Sequence, residues 1–107
     1  MRRVLIDECL PVQLHRWLEG IEAQSVTFMG WKGKRGQELL AAAKGRFEVL
    51  VTGDGFIHKE QELASYGLGL VVVRPTQVQA VEWLVPRIAP RIASAIRRVG
   101  VGRRIVV

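Results

Sequence analysis

The sequence predicts an α/β fold, a mainly parallel sheet flanked by helices on both faces, from three observations. Short apolar runs at Val4 to Ile6, Phe47 to Thr52 and Leu68 to Val73 alternate with segments of helical periodicity. The length, 107 residues, is that of one domain able to bury about 65% of its unfolded surface. Apolar residues at 49% and charged residues at 24% match a folded chain rather than a disordered one. A single domain over residues 1–107 is therefore expected.

Each element has its own signal. Val4-Leu5-Ile6, bounded by arginines and by Asp7-Glu8, is the expected first strand. Pro11 suits a first helical turn, and Leu10, Leu14, Trp17, Leu18 and Ile21 recur at helical spacing, with Gly20 as a C-cap. Ser25 to Phe28 is the candidate second strand, followed by a basic, glycine-rich loop from Gly30 to Gly36. Leu39 to Ala43 predict a short helix with Glu38 in its first turn, where the helix dipole alone favours an acid.

Phe47 to Thr52 reads as a buried strand that ends in the turn Gly53-Asp54-Gly55. His58 to Tyr66 reads as helical. Leu68 to Val73 is so apolar that both its faces must be covered, and Pro75 stops it. From about residue 76 to 107 the chain is a basic, largely helical segment. Breaks are expected at Pro86 and Pro90, with Ile88, Ile92, Ile96 and Val99 as its core stripe. For Arg103 to Val107 an edge strand and a loose tail both stay open.

The net charge of +6 is concentrated at one end. Through Glu82 ten basic residues balance ten acidic ones, whereas residues 83–107 hold six arginines and no acid. Such a block attracts polyanions, nucleic acid among them, and also suits a solvated helix face. Cys9 is the lone cysteine, which excludes an internal disulfide and a site of several thiolates. After Met1-Arg2-Arg3 the apolar run lasts three residues before Asp7, so no export signal is expected. No apolar stretch approaches the roughly 20 residues that span a bilayer. A cytoplasmic protein without membrane contact is the expectation.

Asp7, Glu8 and Asp54 each follow an expected strand, which places them at the carboxyl edge of a parallel sheet, where such sheets bind ligands. Carboxylates gathered there repel one another and favour a proton or a hard cation; Mg²⁺ or Mn²⁺ accepts a few carboxylates and keeps places for phosphate oxygens. Asp is also common after strands for its local hydrogen bonds.

The motifs V-L-I-D-E-C-L-P, G-Q-E-L-L-A-A-A and V-L-V-T-G-D together resemble the PIN-like domains of small prokaryotic toxin-type proteins, from Val4 to about Val73. The resemblance implies a PIN-like fold and a metal-dependent endoribonuclease, a hydrolase cleaving RNA at an acidic Mg²⁺ or Mn²⁺ pocket. It also implies a toxin held inactive by a small antitoxin protein, with a homodimer as one assembly it allows. Position by position it assigns Asp7, Glu38 and Asp54 as catalytic metal ligands. Thr52 becomes the hydroxyl that orients a carboxylate or water, and Glu8 a secondary ligand. Apart from the resemblance, the charge of the basic end makes Arg87, Arg91, Arg97 and Arg98 the expected nucleic-acid or partner contacts. Where PIN-like sequences commonly carry another Asp or Asn followed by an aromatic, this chain has Gly55-Phe56, leaving three acids, a substitute in Glu60 or Glu62, or lost activity.

Two other classes share parts of this pattern. A catalytically degenerate PIN-like module would bind RNA or protein without cutting. A phosphoacceptor receiver domain also has acids after its first and third strands. It further needs a hydroxyl after the fourth strand and a lysine after the fifth, whereas here Arg74-Pro75 follows Val73 and no later strand ends in lysine. Elsewhere His15 and His58 read as surface or capping residues, Cys9 as a small buried residue, and Trp17 and Trp83 as core. Trp31 beside Lys32, Lys34 and Arg35 reads as packing over the sheet edge, with stacking on a nucleic-acid strand as the alternative.

Overall fold

Alternation of side chains along a strand sends neighbours to opposite faces, and the strands here bury both. A computed structural model describes residues 2–53, 59–74 and 81–107, without the side chains of residues 12, 13 and 81–86. The strands are β1 (Arg3–Ile6), β2 (Glu22–Ser25), β3 (Val49–Thr52), β4 (Gly69–Val72) and β5 (Arg104–Val106). All pair in parallel, in the order β2-β1-β3-β4-β5. The helices are α1 (Gly36–Ala43), α2 (Glu60–Ser65) and α3 (Val81–Arg98), and a 3-10 helix spans Val12–Trp17.

Two cores follow from the alternation. On one face Val4, Ile6, Val49, Val51 and Val71 meet Leu10, Leu14 and Leu18 from around the 3-10 helix and Ile92, Ile96 and Val99 from the α3 end. On the other face Leu5, Leu50, Leu70 and Val72 meet Leu39, Leu40 and Ala43 of α1 and Leu63 of α2. The expected α/β architecture, with helices on both faces, is thus what the chain adopts. No helix among the described residues is long and apolar enough to cross a membrane.

Several local expectations are corrected. The second strand is Glu22–Ser25, earlier than Ser25 to Phe28, because its register is set by pairing with β1, Arg3 opposite Glu22 through Ile6 opposite Ser25. The segment after β1 forms a six-residue 3-10 helix, and Trp17 on it is 50% exposed rather than core. Helix α3 runs unbroken past Pro86 and Pro90. A proline in a helix interior costs about 3 kcal/mol, but Ile92 and Ile96 are fully buried against the sheet, each worth about 1.5–3 kcal/mol. Residues 104–106 form an edge strand on β4, which settles the alternative left open there.

Two contacts fix how α3 seats on the sheet. Gly69 lies under its C-terminal end, where an added Cβ would stand 2.9 Å from a Val99 methyl and 3.0 Å from the Gly100 carbonyl oxygen. Arg2, just before β1, donates from its guanidinium to the carbonyl oxygens of Ile96 and Val99. A cation there satisfies helix-end carbonyls and complements the helix dipole.

Candidate functional site

The chain leaves β1 to form β2 on one side and later returns to form β3 on the other, so the sheet's topological switch point lies between β1 and β3. Open parallel sheets bind ligands in the crevice beyond the carboxyl ends of the strands at such a point. Asp7 is the first residue past β1 and Thr52 the last of β3. The backbone at Asp7 is held from both sides, since its N–H donates to the Val51 carbonyl and the preceding Ile6 carbonyl accepts from Val26.

Both carboxylate oxygens of Asp7 accept hydrogen bonds from the protein. The Thr52 hydroxyl donates to Oδ2 at 2.7 Å, and the Glu8 amide donates to Oδ1 at 2.8 Å. Thr52 is fully buried, so its hydroxyl needs a partner, and the Asp7 carboxylate supplies one. Each carboxylate oxygen retains a second lone-pair direction for a further ligand. The Glu8 carboxylate accepts from the Gly33 N–H at 3.1 Å, which ties the basic loop to the end of β1. Gly33 has φ of +93°, a conformation that glycine adopts without steric cost.

Cys9 completes this cluster, although it was expected to be a buried structural residue. It is exposed, with its Sγ accepting from the Gly53 N–H at 3.3 Å and lying 3.9 Å from the Thr52 hydroxyl oxygen. Exposure of the residue as a whole hides the enclosure of its sulfur. That partial burial, helped by the negative field of Asp7 and only partly offset by the Gly53 N–H, pushes the thiol pKa above its ordinary value.

A small cavity of about 140 Å³ opens over these groups, lined by Asp7, Glu8 and Cys9 from the turn after β1 and by Lys34, Arg35, Gly36 and Leu39 from around the start of α1. Acids and cations therefore face one hollow, an arrangement able to take an anionic group beside a carboxylate. Glu38 does not line it. Its carboxylate pairs at 3.2 Å with Lys34, just before the start of α1, and its side chain is 66% exposed. Glu60 pairs with Arg103 at 3.8 Å and does not line the cavity either. Among the described residues no three His, Cys, Asp or Glu side chains are grouped to hold a metal ion. Asp54, Gly55, Phe56 and His58 lie outside the described residues.

The arginines of the C-terminal segment separate. Arg91 and Arg98 line a groove together with Arg74, whereas Arg97 lines a different hollow beside Arg2, and Arg87 is exposed on α3. Trp31 packs against the core on the α1 face, edge-on to Phe47 at 6.0 Å and with Arg46 over its ring, as the packing reading expects. His15 is exposed, and the Trp83 side chain lies outside the described residues.

Sequence reasoning missed Lys34, Arg35, Cys9 and Arg74 as members of these hollows. Cys9 had a usable signal in its place two residues after the strand-end acid; Arg74 had none beyond its position after β4. Comparison with protein-family models, curated proteins and solved structures finds no match.

Proposed function

We propose that the protein is a metal-dependent ribonuclease acting in the cytoplasm, with Asp7 as the carboxylate on which its site is built. The observation that carries this reading is the position of Asp7 at the switch point, its two oxygens fixed by Thr52 and the Glu8 amide, with Lys34 and Arg35 lining the same cavity. Asp7 fits a hard cation, which needs only one or two protein carboxylates when substrate phosphate and water supply the rest. On the sequence resemblance Glu38 and Asp54 are the further ligands. Bound there, Mg²⁺ or Mn²⁺ would polarise a phosphodiester and acidify a water.

The chain's own residues have separate tasks in this reading. Thr52 holds the Asp7 carboxylate in one orientation from the buried side, which keeps its outer lone pairs aimed at the cavity. Lys34 and Arg35, which line the same cavity, supply positive charge for a phosphate. The exposed pair between Glu38 and Lys34 is weak, about 0.3–0.5 kcal/mol for its class, so a cation can recruit Glu38 at little cost. A small antitoxin protein that blocks the cavity is the partner this reading carries with it, and a homodimer is compatible with it.

One observation favours a second reading, a PIN-like module that binds RNA or protein without cutting. Glu38 is engaged by Lys34, and the described residues assemble no three-ligand group. The deciding experiment is Mn²⁺-dependent cleavage of end-labelled single-stranded RNA by the wild type, Asp7→Asn and Asp54→Asn, purified in parallel. Cleavage that requires the metal and is lost in both variants is the expected result. Equal activity in all three, or none in any, overturns the ribonuclease reading.

A further inference from the structure

A second hollow begins at the carboxyl edge of the sheet, on the far side of β3 from Asp7, and extends along α3. Arg74, two residues beyond β4, meets Arg91 and Arg98 of α3 across a groove of about 480 Å³. Pro90, Ser94 and the Val106-Val107 end of β5 complete its lining, and among the described residues no Asp or Glu side chain contributes to it. The ion pairs among the described residues involve Arg3, Lys34 and Arg103 and none of these three arginines.

We propose that this groove binds consecutive backbone phosphates of single-stranded RNA without metal, holding the strand whose scissile part enters the Asp7 cavity. The choice of RNA rests on the ribonuclease reading; the groove itself rests on its own residues. Arg91 and Arg98 are seven residues apart, about 10.5 Å along the helix, too far to share one phosphate and suited to separate ones. Arg98 is held ready, since its Nε donates to the Ser94 carbonyl at 3.3 Å and lies 3.2 Å from the Ser94 hydroxyl. That leaves its terminal nitrogens to make the forked contact that suits a phosphate. An arginine already restrained loses less entropy when it binds.

One end of the groove shares the carboxyl edge of the sheet with the Asp7 cavity. Asp7 follows β1 and the mouth of the groove, at Arg74 and the Val106-Val107 end of β5, lies two to three strand spacings away, roughly 10–14 Å. From there the groove runs along α3 to Arg98, whose neighbour Val99 packs over the start of β4. A strand can therefore run along the edge from a phosphate at Asp7 to Arg74 and then turn along the flank of α3 past Arg91 to Arg98. Pro90 and the half-exposed Val106 offer apolar contact between the charges. An acidic protein segment is the competing occupant, and the test separates it.

The experiment measures binding of a short fluorescent single-stranded RNA in EDTA, where a metal-dependent enzyme cannot cut, as a function of salt. Wild type is compared with Arg74→Gln, Arg91→Gln, Arg98→Gln, the triple variant, and Arg103→Gln as an equal charge loss before the start of β5. For single strands the slope of log affinity on log salt falls by about 0.7 for each phosphate contact removed. Each groove variant is expected to weaken binding and flatten the slope by about that amount, with Arg103→Gln close to wild type. The single variants, at exposed positions, keep the test valid where the triple one fails to fold. Groove variants that bind no worse than Arg103→Gln overturn the proposal, and so does polyglutamate competing as well as unlabelled RNA. Arginine-dependent binding without Mn²⁺-dependent cleavage sinks the ribonuclease and leaves the groove standing.

Discussion

The hydroxyl of Thr52 donates to Oδ2 of Asp7 across 2.7 Å, joining the last residue of β3 to the first residue beyond β1. The two strands are neighbours, so the bond both closes the end of the ladder and aims the carboxylate. Thr52→Val keeps the shape and removes the donor. Hydrogen bonds to charged groups contribute about 1.5–3 kcal/mol, and urea denaturation is expected to show a loss near the lower end, because Asp7 is only half-buried. On the ribonuclease reading cleavage falls about 10- to 100-fold, while Thr52→Ser restores most of both.

Glu38→Gln separates a structural from a catalytic role on α1. The exposed pair with Lys34 contributes little, so thermal unfolding should shift by no more than about 0.5 kcal/mol in free energy. Cleavage at limiting Mn²⁺ should fall, with partial recovery at saturating metal. Unchanged metal dependence in the variant would remove Glu38 from the site.

Cys9 gives a pH prediction. Partial burial holds its thiol pKa above the ordinary value of 9.0, so iodoacetamide labelling in EDTA should be slow at neutral pH, rising at a higher pH than for the unfolded chain. The sign for stability follows: the folded state keeps its proton longer, so this contribution is fully present below the unfolded pKa and is lost as pH rises through the folded one. Cys9→Ser should flatten stability across that alkaline window, and an unchanged profile would contradict the assignment.

Gly69→Ala tests how closely α3 approaches the sheet. The added methyl would meet a Val99 methyl at 2.9 Å and the Gly100 carbonyl at 3.0 Å. Overpacking of a filled core costs about 1–3 kcal/mol. For a domain of this size each kcal/mol lowers Tm by about 4–8 °C. A calorimetric Tm within a degree or so of wild type would mean that the end of α3 yields freely.

The features legible in the sequence are those set by local pattern. β4 announces itself because a strand covered on both faces is a continuous apolar run, and Asp7 because a polar residue ends such a run. β2 does not, since Glu22-Ala23-Gln24-Ser25 is a polar edge strand whose identity comes from β1 beside it. The passage of α3 through two prolines is decided by tertiary burial, which no local rule contains. The groove arginines were half visible: Arg91 and Arg98 share a helix flank, but Arg74 joins them only through the placement of β4.

The guanidinium of Arg2 on the carbonyls of Ile96 and Val99 ties together residues 94 and 97 positions apart. Every strand pairing is parallel as well, so none can form by a simple hairpin. Contacts so remote along the chain slow folding, because loop closure must precede any gain from them. A ribosome exposes β1, an interior strand of the sheet, long before it releases the helix that covers one of its faces. Through that interval the apolar strand is open to wrong pairings and is a natural client for chaperones.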